Sequence, residues 1–150
     1  MAGVALTYDV SQLDVAAVVL NGISGLIEPA IITGTVASVV ESQTRRRIQD
    51  EKTAPDGTPW AAWSPGYAET RHSGQSLLQG EGDLLDTIFG EQRGEDAVVG
   101  SPLVYAAIQQ HGGAEVGKPE LPARPFLGVS DDNAREIEDV VITYLEGLRL

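Results

Sequence analysis

The chain has 150 residues, enough for one domain with its own core, and no cysteine, which excludes disulfides, thiolate nucleophiles and sulfur-ligated zinc. Hydrophobic residues make up 42% and aromatics only 5%, so the core must be built mainly from Val, Ile, Leu and Ala. Twenty-two acids against ten bases give a net charge of −12, a surface that repels nucleic acid phosphates instead of gripping them.

Met1 to Val10 carries no Lys or Arg, so the basic start of a secretory signal is missing. Val15 to Val40 is strongly apolar, but Asn21, Glu28 and Pro29 interrupt it before a run of ~20 apolar residues can form. A buried helical pair, and no membrane contact, is the expectation. Ser11 followed by Asp14 is a helix-start signature, and Leu13, Ala16, Leu20, Ile23 and Ile27 recur at helical spacing behind it. Pro29 suits the first turn of a second helix, which continues through Val36 and Val40 and ends around Arg47 to Asp50. Glu41 and Arg45 stand at i and i+4 as a favourable pair. Arg45, Arg46 and Arg47 form a basic cluster that either compensates the helix dipole in solvent or contacts an acidic partner or a phosphate.

Thr53 to Gly66 holds three prolines and two glycines and reads as turns. Trp60, Trp63 and Tyr67 lie at i, i+3 and i+7, so a brief helical turn would set them on one face, as a local mini-core or a partner contact. Thr70 to Gly82 reads as a polar, mobile loop. Leu84 to Arg93 and Ala97 to Gly100 flank Gly94-Glu95-Asp96 as a hairpin. Leu103 to Gln110 is a short helix stopped by Gly112-Gly113, and after the loop Ala114 to Arg124, Pro125 to Val129 reads as a short strand. Ser130 caps a last helix, with Asp131 and Asp132 at its N-terminus and Ile137, Val141, Tyr144, Leu145 and Leu148 as its buried stripe.

The sum is an α+β fold: two N-terminal helices, a small antiparallel sheet from the segments around Leu84, Ala97 and Phe126, and a C-terminal amphipathic helix packed on that sheet. It is one domain, with a helical part (1–50), a Pro/Gly-rich loop region (51–83) and the sheet with the last helix (84–150). The hairpin arms are the expected oligomer contacts, because exposed strand edges pair readily between copies.

Chemistry is hard to find. The chain has no Gly-x-Ser-x-Gly elbow, no H-E-x-x-H and no Gly-rich phosphate loop, and its two histidines, His72 and His111, are far apart in sequence. Carboxylate pairs such as Glu81 with Asp83 are what any chain this acidic contains. His111 before Gly-Gly suits a helix-end hydrogen bond better than catalysis. The reading is a non-enzyme with no cofactor and no metal.

The order of features carries more. PDGTPWAAWSP, LLQGEGDLLDTI, VGSPLVYAAIQQHGG and LPARPFLGVSDDN, followed by an amphipathic helix, resemble the phage virion morphogenesis family, the tail-completion proteins of Mu-like and related tailed phages. The resemblance runs from Arg46 to Leu145. Its most specific parts are Tyr105-Ala106 with Gln110 and Gly112-Gly113, and Pro122 to Gly128. The family usually has His-Gln where Gln109-Gln110 stands, and commonly an aromatic at Ile48.

The resemblance implies a structural virion protein, a tail terminator or neck protein that forms a ring, with six copies expected, and joins tail to head. It would be made in the host cytoplasm and end in the virion. Its partners would be its own copies, the tail tube and the neck or connector proteins, with DNA passing through the ring without specific binding. A non-virion assembly factor for tail or head–tail joining is the alternative. Subunit-interface candidates are Tyr105, Gln109, Gln110, His111, Arg124, Pro125 and Phe126; partner-contact candidates are Trp60, Trp63, Arg45, Arg46 and Arg47. Arg124, stiffened by its prolines, suits an acidic patch on the next subunit, or a partner within its own domain.

Overall fold

The computed structural model describes residues 3–9 and 28–147. The helix expected over Ser11 to Ile27 lies outside them, as does Leu148. Strand β1 (Val4–Asp9) is followed in the described chain by helix α1 (Pro29–Arg46), which runs on as a wider i→i+5 turn over Arg47–Glu51. Short helices α2 (Pro65–Ala68) and α3 (Asp83–Thr87) lead into the hairpin β2 (Phe89–Arg93) and β3 (Asp96–Ser101). Helix α4 (Ala106–His111), a 3-10 turn (Ala114–Val116) and helix α5 (Asp131–Gly147) complete the order.

The sheet is antiparallel in the order β1-β3-β2. Its hairpin closes on the pair Arg93 and Asp96, with Gly94 at φ 62° supplying the first turn position of a type II′-like connection. Two expectations about the sheet change. Leu84 sits in α3, and the strand begins only at Phe89, because the Gly82 turn and Asp83 start a helix first. Phe126 is in no strand; the third strand is β1, whose alternating Val4, Leu6 and Tyr8 pair with Ser101, Val99 and Ala97.

One row of the sheet reads Leu6, Val99, Gly90. A Cβ on Gly90 would lie 2.5 Å from the Ala37 carbonyl oxygen, so this row faces α1 and the glycine is what lets the helix come so close. Gly90→Ala should therefore push helix and strand apart, at about 1–3 kcal/mol, read as a lower urea midpoint. The opposite face carries Ala5, Thr7 and Glu91, all exposed.

Helix α1 covers β2 and β3, while α4 lies against β1. Helix α5 packs chiefly on α1, and the helix that covers β2 and β3 is the one opened by Pro29. The reason is the α1 stripe. Ile32, Val36, Ala37 and Val40 are all buried, and the buried Gln43 amide donates to the Asn133 carbonyl (3.1 Å) and to Glu136 (2.9 Å) of α5. Ile137, Val141 and Leu145 bury the facing stripe of α5, as its periodicity requires. Ser130 and Asn133 cap α5 reciprocally, the Asn133 amide donating to the Ser130 hydroxyl (3.0 Å) and the Ser130 amide to the Asn133 side chain (3.3 Å).

Candidate functional site

The segment from Pro122 to Ser130 belongs to no helix or strand, so most of its backbone groups find partners among side chains. Gln110 acts as a substitute strand: its Oε1 accepts from the Phe126 and Leu127 amides, both at 3.0 Å, and its Nε2 donates to the Leu127 carbonyl (3.2 Å). Arg47 Nη1 donates to the Phe126 carbonyl (3.0 Å) and the Gly128 carbonyl (3.2 Å), and Nη2 to Asn133 Oδ1 (2.5 Å). Trp60 Nε1 donates to the Pro125 carbonyl (2.8 Å). The Arg124 amide donates to the Gln109 carbonyl (2.6 Å).

This placement gives several sequence-selected residues internal work. Phe126 and Arg47 are buried, at 0% and 1% exposure, and Trp60 and Arg124 nearly so. Arg124 Nε and Nη2 donate to the Ala61 (2.7 Å) and Ala62 (3.0 Å) carbonyls, so the guanidinium pins the tryptophan loop of its own chain. Burial lowers the pKa of both arginines, an effect the Glu51 carboxylate partly offsets at Arg47. Arg124→Ala therefore acts on the fold before it acts on any interface. It should cost about 1.5–3 kcal/mol by removing two hydrogen bonds from a charged donor, visible in urea unfolding of the isolated chain.

The basic cluster is also spent within the chain. Arg45 pairs with Glu41 at 3.1 Å, as the spacing suggests, and donates to the Leu85 (2.7 Å) and Ile88 (2.6 Å) carbonyls. Arg46 bridges Glu51 (3.1 Å) and Glu136 (3.0 Å), which raises its own pKa and holds the Glu136 carboxyl below the usual range. No sequence signal marked Lys52. Held at φ 58°, it sends Nζ back to the Ile48 carbonyl and across to Ser76 Oγ and the Leu77 carbonyl, both at 2.9 Å, fixing the 70s loop.

Several of the predicted residues line one cleft. Trp63, Tyr105, Gln109 and Arg124 line a cleft of about 670 Å³, together with Tyr67, Arg71 and the 119–122 turn. The three aromatics of the 60s loop do not share a face: Trp60 turns inward, while Trp63 and Tyr67 meet edge to face at 5.9 Å between ring centres. Arg71 lies over the Tyr67 ring at 4.4 Å. Tyr67, Tyr105 and Leu121 are exposed at 49%, 41% and 38%. Partial burial, and then the nearby Asp83 carboxylate, raise the Tyr105 pKa, so its hydroxyl stays protonated. Glu81, Asp83 and Glu120 balance the cleft's two arginines. His111 is exposed at the end of α4, and Pro125 is half-buried beside the scaffold just described.

The arrangement suits recognition. His72 meets Glu81 at 3.2 Å on the surface, and among the described residues no three His, Asp or Glu side chains converge to hold a metal. An aromatic cleft set on a rigid loop offers packing surface and hydrogen bonds to another chain.

Comparison with known proteins decides the kinship. The model of the phage virion morphogenesis family matches residues 14–146. The chain belongs to that family. Similar members include the putative capsid assembly protein G of Escherichia phage Mu, 29% identical over 143 residues covering 91% of this chain and 90% of the relative. The tail completion protein S of Escherichia phage P2 is 26% identical over 141 residues, covering 83% and 93%. The Mu-like prophage FluMu G protein 1 of Haemophilus influenzae is 29% identical over 122 residues, covering 78% and 80%. No solved structure matches. The family stretches quoted from the sequence, Pro55 to Pro65 and Tyr105 to Gly128, thus supply both the scaffold and much of the cleft of this morphogenesis protein.

Proposed function

We propose that this virion morphogenesis protein is a non-enzymatic tail completion or neck subunit. Copies of it, six in the simplest case, form a ring at the head-proximal end of the tail and join tail to head. The observation that carries this reading is the cleft of Trp63, Tyr67 and Tyr105, an aromatic surface whose tryptophan loop is pinned by Arg124 at the Ala61 and Ala62 carbonyls. Rigid aromatic anchors lose little conformational freedom on binding, so such a surface is suited to a permanent joint between proteins. The naming of the phage P2 relative as a tail completion protein supports the same role. The partners in this reading are further copies, the tail tube and the neck or connector proteins. The acidic balance lets DNA pass without sticking, since carboxylates repel its backbone.

The second reading is an assembly factor that leaves before the virion matures, favoured by the naming of the phage Mu relative as a putative capsid assembly protein. Mass spectrometry of purified particles separates the two: a structural subunit remains at a fixed copy number, and an assembly factor is missing. The cleft has its own test. Tyr105→Ala removes an exposed ring and should leave the urea midpoint nearly unchanged, within about 0.5 kcal/mol, while the yield of joined particles falls at least tenfold. Normal joining by this variant removes the cleft from the mechanism.

A further inference from the structure

The aromatic cleft carries a charge pattern that narrows its occupant. It lies where β3 passes into Leu103 and Tyr105, at the far end of the sheet from the point where β1 ends, Asp9 pairing with Asp96. Its two arginines are already engaged: Arg124 donates to the Ala61 and Ala62 carbonyls, and Arg71 lies over the Tyr67 ring at 4.4 Å. Of its acids, Glu81 accepts from Gln75 and meets His72. Asp83 and Glu120 are left, and among the described residues neither carboxylate has a hydrogen-bond donor or a cation. Exposed carboxylates are ordinary in a chain with 22 acids, but these two share a cleft with aromatic rings. Asp83 lies close enough to Tyr105 to add to the effect of partial burial on its hydroxyl. Among the described residues no cation covers the ring of Trp63 or Tyr105.

An aromatic face beside a carboxylate attracts one kind of group. The ring quadrupole and the carboxylate both favour a cation, and the contact strengthens as water is excluded from it. A guanidinium suits the pair better than an ammonium, because its plane stacks on a ring while its edge donates in a fork. Arg71 over Tyr67 is the same contact made within the chain.

A second copy of this chain is poorly equipped to supply that group. The net charge of −12 sets copies against one another. Apart from Lys118, on the loop that borders the cleft itself, every described lysine and arginine has a partner in its own chain.

We infer that the cleft takes an arginine from a different protein of the tail or neck, its guanidinium stacked on Tyr105 beside the Asp83 carboxylate, in a field that Glu120 strengthens. This rests on the cleft being a joint between virion proteins, and it names the chemistry of the partner.

The test neutralises the acids and keeps the rings. Asp83→Asn combined with Glu120→Gln should leave the urea midpoint nearly unchanged. The yield of joined particles should fall about tenfold or more, and the joining that remains should depend less on salt than that of the wild type. A capped Gly-Arg-Gly peptide reads the contact directly by NMR. It should shift the Trp63 indole and Tyr105 ring signals of the wild-type chain, and bind the double variant about tenfold more weakly. An arginine peptide that leaves those signals unmoved, or binds no better than its uncharged citrulline counterpart, overturns the inference. If Tyr105→Ala joins poorly while the double variant joins normally, the cleft is a joint whose occupant brings no cation, and this inference alone falls. If both variants join normally, the cleft is no joint and the two readings fall together. Native mass spectrometry covers the other partner: the double variant should keep the wild-type oligomer distribution, and a loss of oligomers places a second copy in the cleft and overturns the inference as well.

Discussion

Replacing Arg47 with alanine should destabilise this domain by about 3–5 kcal/mol, a large part of the 5–15 kcal/mol that holds an ordinary domain together. The guanidinium is 1% exposed and serves the Phe126 and Gly128 carbonyls and the Asn133 side chain at once. Removing it leaves the buried Phe126 carbonyl and Asn133 side chain and the partly buried Gly128 carbonyl without this donor, and each unmade buried hydrogen bond costs more than a made one contributes. It also empties a volume bordered by α1, the 126–128 segment and the start of α5. Arg47→Lys should recover only a minor part, because an ammonium is a point donor and cannot span three acceptors in a fork. Urea unfolding of the two variants checks this; a loss under 1 kcal/mol in Arg47→Ala would show that the segment finds other partners.

Phe126→Ala should cost a similar 3–5 kcal/mol through the cavity it leaves. The ring is 0% exposed, and the backbone on both its sides is already held, by Gln110 at the amides and by Arg47 and Trp60 at the carbonyls of Phe126 and Pro125. A segment pinned in this way cannot collapse to fill the space, which puts the cost at the upper end of the range. Phe126→Leu keeps most of the volume and should lose less than half as much. If Phe126 acted as an interface residue, Phe126→Ala would fold normally and fail only in assembly. The expected result is the reverse: a lower urea midpoint in the isolated chain, with joined particles recovered at a reduced growth temperature.

Local signals in the sequence mark the elements that local chemistry determines. Pro29 starts α1, Val36 and Val40 lie on its buried face, Gly94 turns the hairpin, and Ser130 caps α5. Each depends on contacts a few residues away, so spacing alone exposes it. The strand expected at Phe126 fails for the complementary reason. Its apolar run reads like a strand, but the partners for its backbone are the side-chain amide of Gln110 and the guanidinium of Arg47, 16 and 79 residues distant. No window of sequence shows that a side chain will stand in for a strand. β1 was missed likewise, because its partner strand β3 lies far along the chain, Val4 pairing with Ser101.

The site residues divide along the same line. Tyr105, Gln109 and Arg124 were singled out as subunit-interface candidates and Trp63 separately as a partner contact, and the structure brings all four to one cleft. Arg47, Arg124, Trp60 and Phe126 looked equally suited to a partner, since a guanidinium or an indole serves an internal carbonyl as well as an external one. Arg45 and Arg46, a charged cluster in one dimension, turn out to be matched against Glu41, Glu51 and Glu136. Lys52 gave no signal because its role depends on a left-handed backbone position and a loop more than 20 residues away.

By itself, then, the sequence determined the family, the mixed α+β composition, the helix starts and the hairpin turn, since each follows from residue types at short spacing or from stretches shared with relatives. Only the tertiary structure decided which arginines and aromatics face inward, which helix covers the sheet, and which strands remain at its edges. Those outcomes depend on backbone carbonyls and amides finding partners far along the chain. Every residue presents the same backbone groups, so no residue type announces where they will be satisfied.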